Sequence, residues 1–321
     1  MKHSLVLAMI GALLFFVPIR AGATDFETWL AGVKTQAARE GISQKTINDT
    51  LGSIHPIPKV IELDRKQPEK KMTFAQYKRN VVNDQRIQKG QQLYHAHARE
   101  LAWVEKTYGV APQYVLALWG IETNFGQNTG GFKIIPALAT LAWEGRRASF
   151  FRDELIKAMK IVDQGHISAA EMKGSWAGAM GQNQFMPSSF FAYAVDADGD
   201  GKADIWNDKL DVFASTANYL AKSGWSDGQR WGRRVLLPKS FPANLATPKI
   251  KKNISVWKAM GVKDLSGAPL PDENFSASIV APDGVGGESY IVYGNYQTIM
   301  LWNRSTYFAT SVGLIADAIA R

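Results

Sequence analysis

Apolar residues return at helical intervals through most of the chain. Phe26, Trp29, Leu30 and Val33 share one helix face, and Leu101, Val104 and the run from Val115 to Ile121 continue the period. Pro112 suits the first turn of a helix, and Gly126 supplies its stop. The pattern changes after Trp231. Six prolines fall between Val235 and Gly294, together with Gly284, Gly286 and Gly287. Short apolar runs there, such as Arg234-Val235-Leu236-Leu237 and Ser289-Tyr290-Ile291-Val292-Tyr293, predict strands between turns. Helical spacing resumes from Thr306 to Ile319. The expected fold class is α+β, mainly α. A helical domain spans 24–232, a small strand-containing insert 233–294, and a C-terminal helix within 295–321 returns to the first domain.

The beginning of the chain reads differently. Lys2, a 13-residue apolar stretch from Leu5 to Val17, and Ala21-Gly22-Ala23 have the three parts of a cleaved secretory signal over residues 1–23. The stretch is shorter than the roughly 20 apolar residues of a membrane span. Cysteine is absent, so an exported chain of 321 residues must rely on packed cores, and none follows the signal to carry a lipid. The expectation is a periplasmic monomer without a membrane anchor. The formal charge is +8, and +6 once Lys2 and Arg20 leave with the signal. Basic residues are scattered, except for small clusters such as Lys70-Lys71 and Lys249-Ile250-Lys251-Lys252. That scatter, with export, argues against nucleic acid. The surplus either serves solubility or draws in an acidic polymer.

The sharpest chemical signal is Ala117-Leu118-Trp119-Gly120-Ile121-Glu122-Thr123-Asn124-Phe125-Gly126. It sets one carboxylate, Glu122, among apolar residues at the C-terminal, negative end of a helix dipole. Both influences disfavour ionisation, which suits a general acid near neutral pH. The alternative is an ordinary surface glutamate at a helix end. Downstream, residues 174–189 mix glycine, alanine, Gln182, Asn183 and Gln184 with Trp176 and Phe185. Amide groups and flat apolar faces suit a sugar's hydroxyl edges and C–H faces, and small residues permit close approach. A tightly packed turn between helices is the plainer reading.

A second constellation is Asp196-Ala197-Asp198-Gly199-Asp200-Gly201-Lys202-Ala203-Asp204-Ile205-Trp206-Asn207. It follows the EF-hand calcium loop, with oxygen ligands at the first, third and fifth positions and glycine at the sixth. Lys202 needs to supply only its carbonyl. Asn207 stands where the loop ordinarily has a bidentate glutamate, which predicts weaker binding. Helices over 188–195 and 210–220 complete a helix–loop–helix. A metal-free aspartate loop closed by side-chain-to-backbone bonds is the alternative.

Taken together and in this order, these runs resemble the membrane-bound lytic murein transglycosylase B family. Asp64-Arg65-Lys66-Gln67-Pro68-Glu69, Tyr108-Gly109-Val110, Leu138-Ala139-Thr140-Leu141-Ala142, Arg146-Arg147-Ala148 and Trp302-Asn303-Arg304-Ser305 extend the likeness over nearly the whole mature chain. The resemblance implies a lysozyme-like helical domain acting on peptidoglycan glycan strands, in company with other cell-wall enzymes. It also implies a structural Ca2+ on Asp196, Asp198, Asp200, Lys202 and Asn207, and no organic cofactor. Glycoside cleavage ordinarily takes two carboxyl groups, and the motifs provide one. Glu144, Asp153, Glu154 and Glu171 read as solvated helix charges. In the family a single glutamate, here Glu122, serves first as acid and then as base, and the C6 hydroxyl of N-acetylmuramic acid attacks its own C1 to give a 1,6-anhydro sugar. By the same match, Ser175 and Gln184 bond substrate and Phe185 packs nearby. Arg146 and Arg147 meet acidic or peptide parts, and Asn303 and Tyr307 close the site. The rival readings are a hydrolytic muramidase, a non-catalytic wall-binding protein and a calcium sensor.

Overall fold

The computed structural model describes residues 25–66, 72–144 and 146–321. The signal segment 1–23, Gln67-Pro68-Glu69 of the resemblance, and Lys70-Lys71 lie outside the described residues. Five helices open the chain: α1 (Phe26–Arg39), α2 (Gln44–Leu51), α3 (Pro58–Arg65), α4 (Phe74–Val81) and α5 (Asp84–Ala96). Asp25 caps α1 by accepting from the amides of Glu27 and Thr28, and Phe26, Leu30, Val33 and Ala37 form its buried stripe. Next come α6 (Ala98–Tyr108) and α7 (Pro112–Thr123), the latter starting on Pro112 as the sequence indicates. Every residue of α7 from Tyr114 to Gly120 is buried, so it is the central helix.

The middle of the chain carries β1 (Phe132–Lys133), α8 (Ile134–Glu144), α9 (Ala148–Asp163) and β2 (Lys173–Gly174). The two short strands pair antiparallel, Phe132 opposite Gly174, and so hold the segment after α7 beside the glycine-and-amide run. Then follow α10 (Pro187–Tyr193) and α11 (Lys209–Lys222). One apolar core lies among α1, α2, α8 and α9, with Phe185 and Ile205 reaching into it. A second surrounds α7 with α6 and α11.

The proline-rich region holds β3 (Gly232–Val235), β4 (Lys252–Asn253), α12 (Ile254–Ala259), β5 (Ser276–Val280) and β6 (Ser289–Val292). They form an antiparallel sheet in the order β3-β6-β5-β4, with Val235 opposite Ser289 and Ile279 opposite Ile291. β3 begins at Gly232, and Leu236 pairs instead with Lys263 outside the named strands, which displaces the predicted strand toward its N-terminal side. Its own small core centres on Trp257, Ile279 and Ile291. Two helices end the chain, α13 (Gly294–Trp302) and α14 (Thr306–Ile319). α14 packs along α7 and seats Gly313 against Trp231, where any added Cβ would collide with the indole ring. The Trp231 indole N–H donates to Asp317 at 3.1 Å, joining the start of the sheet to the last helix.

Candidate active site

Glu122 lies in the last turn of α7. Behind it the chain turns through three consecutive left-handed residues, Asn124, Phe125 and Gly126, with φ of 51°, 60° and 83°. Two of these are not glycine, a conformation that persists only where its surroundings enforce it. Phe125 is buried against Trp119, and the Thr123 hydroxyl accepts from the Gly126 amide at 3.0 Å. The turn thus fixes the glutamate at a buried helix end.

Among the described residues one hydrogen bond reaches the carboxyl group: the Trp302 indole N–H donates to Glu122 Oε1 at 2.7 Å. Trp302 comes from the end of α13 and stands in an aromatic wall, with ring centroids 5.3 Å from Phe185 and 4.6 Å from Tyr219. Burial pushes the Glu122 pKa up from 4.5 to about 7, and the indole donor pulls only partly the other way. Among the described residues, no second carboxylate enters the surroundings that set this titration. Tyr77, from α4, lies close enough to feel the Glu122 charge, and its phenol is raised by burial first and by Glu122 second.

Ser175 and Gln184 lie on the run between β2 and α10 that also carries Phe185. The Ser175 Oγ accepts from the Ala179 amide at 3.0 Å, which leaves its hydroxyl proton available. Gln184 sits at φ 51° and donates its amide to the carbonyls of Thr129 and Gly181, both at 3.0 Å. Phe185 is buried and belongs to the aromatic wall. Tyr307 packs on Tyr77 at 5.8 Å and points its hydroxyl at Asp283, 3.4 Å away. Asn303 is exposed and accepts from the Ser305 amide at 3.1 Å, shaping the turn into α14. Arg146 and Arg147 converge on the buried Asp64, at 2.9 and 3.2 Å, and so tie α3 to the start of α9. Glu154 is a correction to its sequence reading: it is 3% exposed and accepts from the Ser188 amide at 2.8 Å, because the first turn of α10 needs an acceptor there.

The aspartate loop lies between α10 and α11. Asp196 accepts from the amides of Gly199 and Gly201, Asp198 from Asp200, and Asp200 from Lys202. Carboxylate oxygens of Asp196, Asp198 and Asp211 come within 4.8 Å of one another. This hard-oxygen donor set fits a divalent cation of the calcium class. Asp211, in the first turn of α11, was not singled out by the sequence reading. It lies beyond the loop's final position, and the only signal for it is the Asp208-x-x-Asp211 spacing of a helix start. Asn207 donates its amide to Asp204, and the Lys202 main-chain amide donates to Asp200.

Comparison with known proteins accords with this geometry. The model of the transglycosylase SLT domain family matches residues 25–317. Membrane-bound lytic murein transglycosylase B of Escherichia coli K12 is 29% identical over 297 residues, covering 88% of this chain and 80% of that one. SltB3 from Pseudomonas aeruginosa, solved in complex with NAG-anhNAM-pentapeptide, superposes with a TM-score of 0.90 at 42% identity and covers 92% of this chain and 80% of its own. The Escherichia coli lytic transglycosylase Slt35 in complex with calcium gives a TM-score of 0.79 at 28% identity, covering 94% of each chain. The chain, with a half-buried glutamate in a lysozyme-like helical fold, belongs to the transglycosylase SLT family of lytic murein transglycosylases.

Proposed function

We propose that Glu122 cleaves the β-1,4 bond between N-acetylmuramic acid and N-acetylglucosamine in both halves of a non-hydrolytic reaction. As a neutral acid, it gives its proton to the leaving O4 of the bond. The resulting carboxylate then takes the proton of the C6 hydroxyl as that oxygen bonds to C1 of the same muramic residue. The proton lost in the first half returns in the second, a 1,6-anhydro sugar forms, and no water is consumed. One observation carries this reading: a lone carboxyl whose burial raises it to about 7 can be an acid before bond cleavage and a base after it. Paired-carboxylate hydrolysis would need a second acid beside it.

Within this reading, Ser175 and Gln184 orient the sugar and the wall of Phe185, Trp302 and Tyr219 excludes water. Tyr77 and Tyr307 close the opposite side. Arg146 and Arg147 keep nitrogens beyond their bonds to Asp64 for acidic parts of the polymer. Asp196, Asp198 and Asp211 with the Lys202 carbonyl hold a calcium ion, which supplies charge neutralisation that braces the loop. The helical region 24–232, the strand-bearing insert 233–294 and the returning segment 295–321 are the organising units, and the chain works in the periplasm on glycan strands. Among the described residues no helix is long and apolar enough to cross a membrane. Mass spectrometry of products from purified sacculi tests the reaction. Anhydro-muramic ends are expected, and reducing ends would overturn it in favour of a muramidase.

A further inference from the structure

Gln182 stands between the site and the aspartate loop, and every polar group it owns is engaged. It is 4% exposed. Its main-chain amide donates to the carbonyl of Ile205 at 2.8 Å, and its side-chain amide donates to the carbonyl of Trp206 at 2.6 Å. Both acceptors belong to the segment leaving the aspartate loop. On the other side, its side-chain oxygen accepts from the Trp119 indole at 2.9 Å, and its main-chain carbonyl accepts from the Thr123 hydroxyl at 3.0 Å. Trp119 and Thr123 lie on α7, one a turn before Glu122 and the other directly after it.

The same side-chain oxygen sits against Gly126, where any Cβ would collide with it. Gly126 is the last of the three left-handed residues behind Glu122. The carbonyl that caps Thr123 and the oxygen that fills the space over Gly126 are both from Gln182. Left-handed non-glycine residues are strained and persist only when neighbours over-determine them. In this fold Gln182 braces the residues on either side of them, Thr123 and Gly126.

We propose that Gln182 is a positioning residue for Glu122, clamping the last turn of α7 to the chain leaving the aspartate loop so that loop and acid move as one body. The inference rests on Glu122 being the acid–base residue. It does not need Gln182 to touch substrate, because its side-chain amide is engaged by Trp119 and Trp206. Tighter or looser seating of the aspartate loop, whatever ion it holds, therefore reaches Glu122 through one side chain.

The test uses the full chain and a defined soluble glycan, with Trp119→Phe and Gln182→Met measured singly and together. Trp119→Phe deletes the indole donor and keeps a smaller aromatic ring against Phe125 and Phe213, so it remains informative even where Gln182→Met fails to fold. A clamp predicts that kcat falls roughly tenfold to a hundredfold while KM holds, since a displaced catalytic group costs turnover more than binding. It also predicts that the alkaline limb of kcat/KM moves to lower pH as water reaches a loosened Glu122, and that the double variant falls little further than the worse single one. Wild-type kcat and an unmoved limb in Trp119→Phe, or fully additive losses in the pair, would overturn the clamp. Glu122→Gln run alongside separates the two ideas: residual turnover there removes the acid–base reading itself, whereas a dead Glu122→Gln beside a wild-type Trp119→Phe removes only the clamp.

Discussion

The cleft and the aspartate loop both use carboxylates at helix boundaries, yet they treat charge in opposite ways. Around Glu122 the neighbours are rings, one indole N–H arrives, and the carboxyl keeps its proton to about pH 7. In the loop, Asp196 and Asp198 are exposed, several backbone amides point at them, and Asp211 brings a third carboxylate from α11. Donor number and solvent access, rather than residue type, separate a proton carrier from a cation cage. Gln182 is a side chain that touches both regions, through Trp119 on one side and Trp206 on the other.

Replacing Glu122 by Gln breaks the comparison most severely. Turnover is expected to fall by roughly a thousandfold or more, as for loss of an essential acid and base, with glycan binding retained. Stability should move the other way. The folded pKa of about 7 exceeds the ordinary 4.5, so between those values the native protein holds a proton that the unfolded chain has released. Stability therefore falls as pH rises from 4.5 to 7 and stays reduced above that, by up to about 3 kcal/mol where the site is dry. Glu122→Gln removes this penalty. Its melting temperature should exceed that of the wild type at pH 8 and match it near pH 4, as scanning calorimetry would read. Equal melting temperatures at pH 8 would mean that the carboxyl is better hydrated than its surroundings indicate.

The loop gives the next effect. Calcium at about a hundred times its dissociation constant should stabilise the protein by about 2.7 kcal/mol, seen as a rise in melting temperature. Asp196→Asn, Asp198→Asn and Asp211→Asn should each abolish most of that rise, while Asn207→Ala leaves most of it, since the Asn207 amide is turned to Asp204. A full calcium shift in Asp196→Asn would place any ion elsewhere.

The two regions were unequally legible in the sequence. The loop announces itself because its acidic residues are local: aspartates two apart with glycines at positive φ make the turn almost by themselves. Even so, Asp211 escaped, because a buried carboxylate from the following helix falls outside any loop spacing. Glu122 was legible through the apolar run before it, and helices α1, α7 and α14 through their periodicity. Trp302 and Tyr77 were not legible as its neighbours. They lie 180 and 45 residues away in the chain, and only the return of α13 and the packing of α4 bring them to the carboxyl. The commitment of Arg146 and Arg147 to Asp64 was equally hidden, since a motif match gives the residues but not their partners.

The finest test of the comparison lies in the single donor to Glu122. Trp302→Phe removes an N–H that favours the ionised carboxylate, but keeps a ring against Phe185 and Tyr219. If donors govern the site, the Glu122 pKa rises further. The free enzyme needs the neutral acid, so kcat/KM falls as pH rises through that pKa, and the variant's alkaline limb should shift upward by about one unit, as expected for a hydrogen bond to a charged group. If dryness governs it instead, the smaller ring admits water, the pKa drops, and the limb moves below that of the wild type. The direction of that one limb, read in a pH series on a soluble glycan, decides whether this acid is poised by its hydrogen bond or by the aromatic wall.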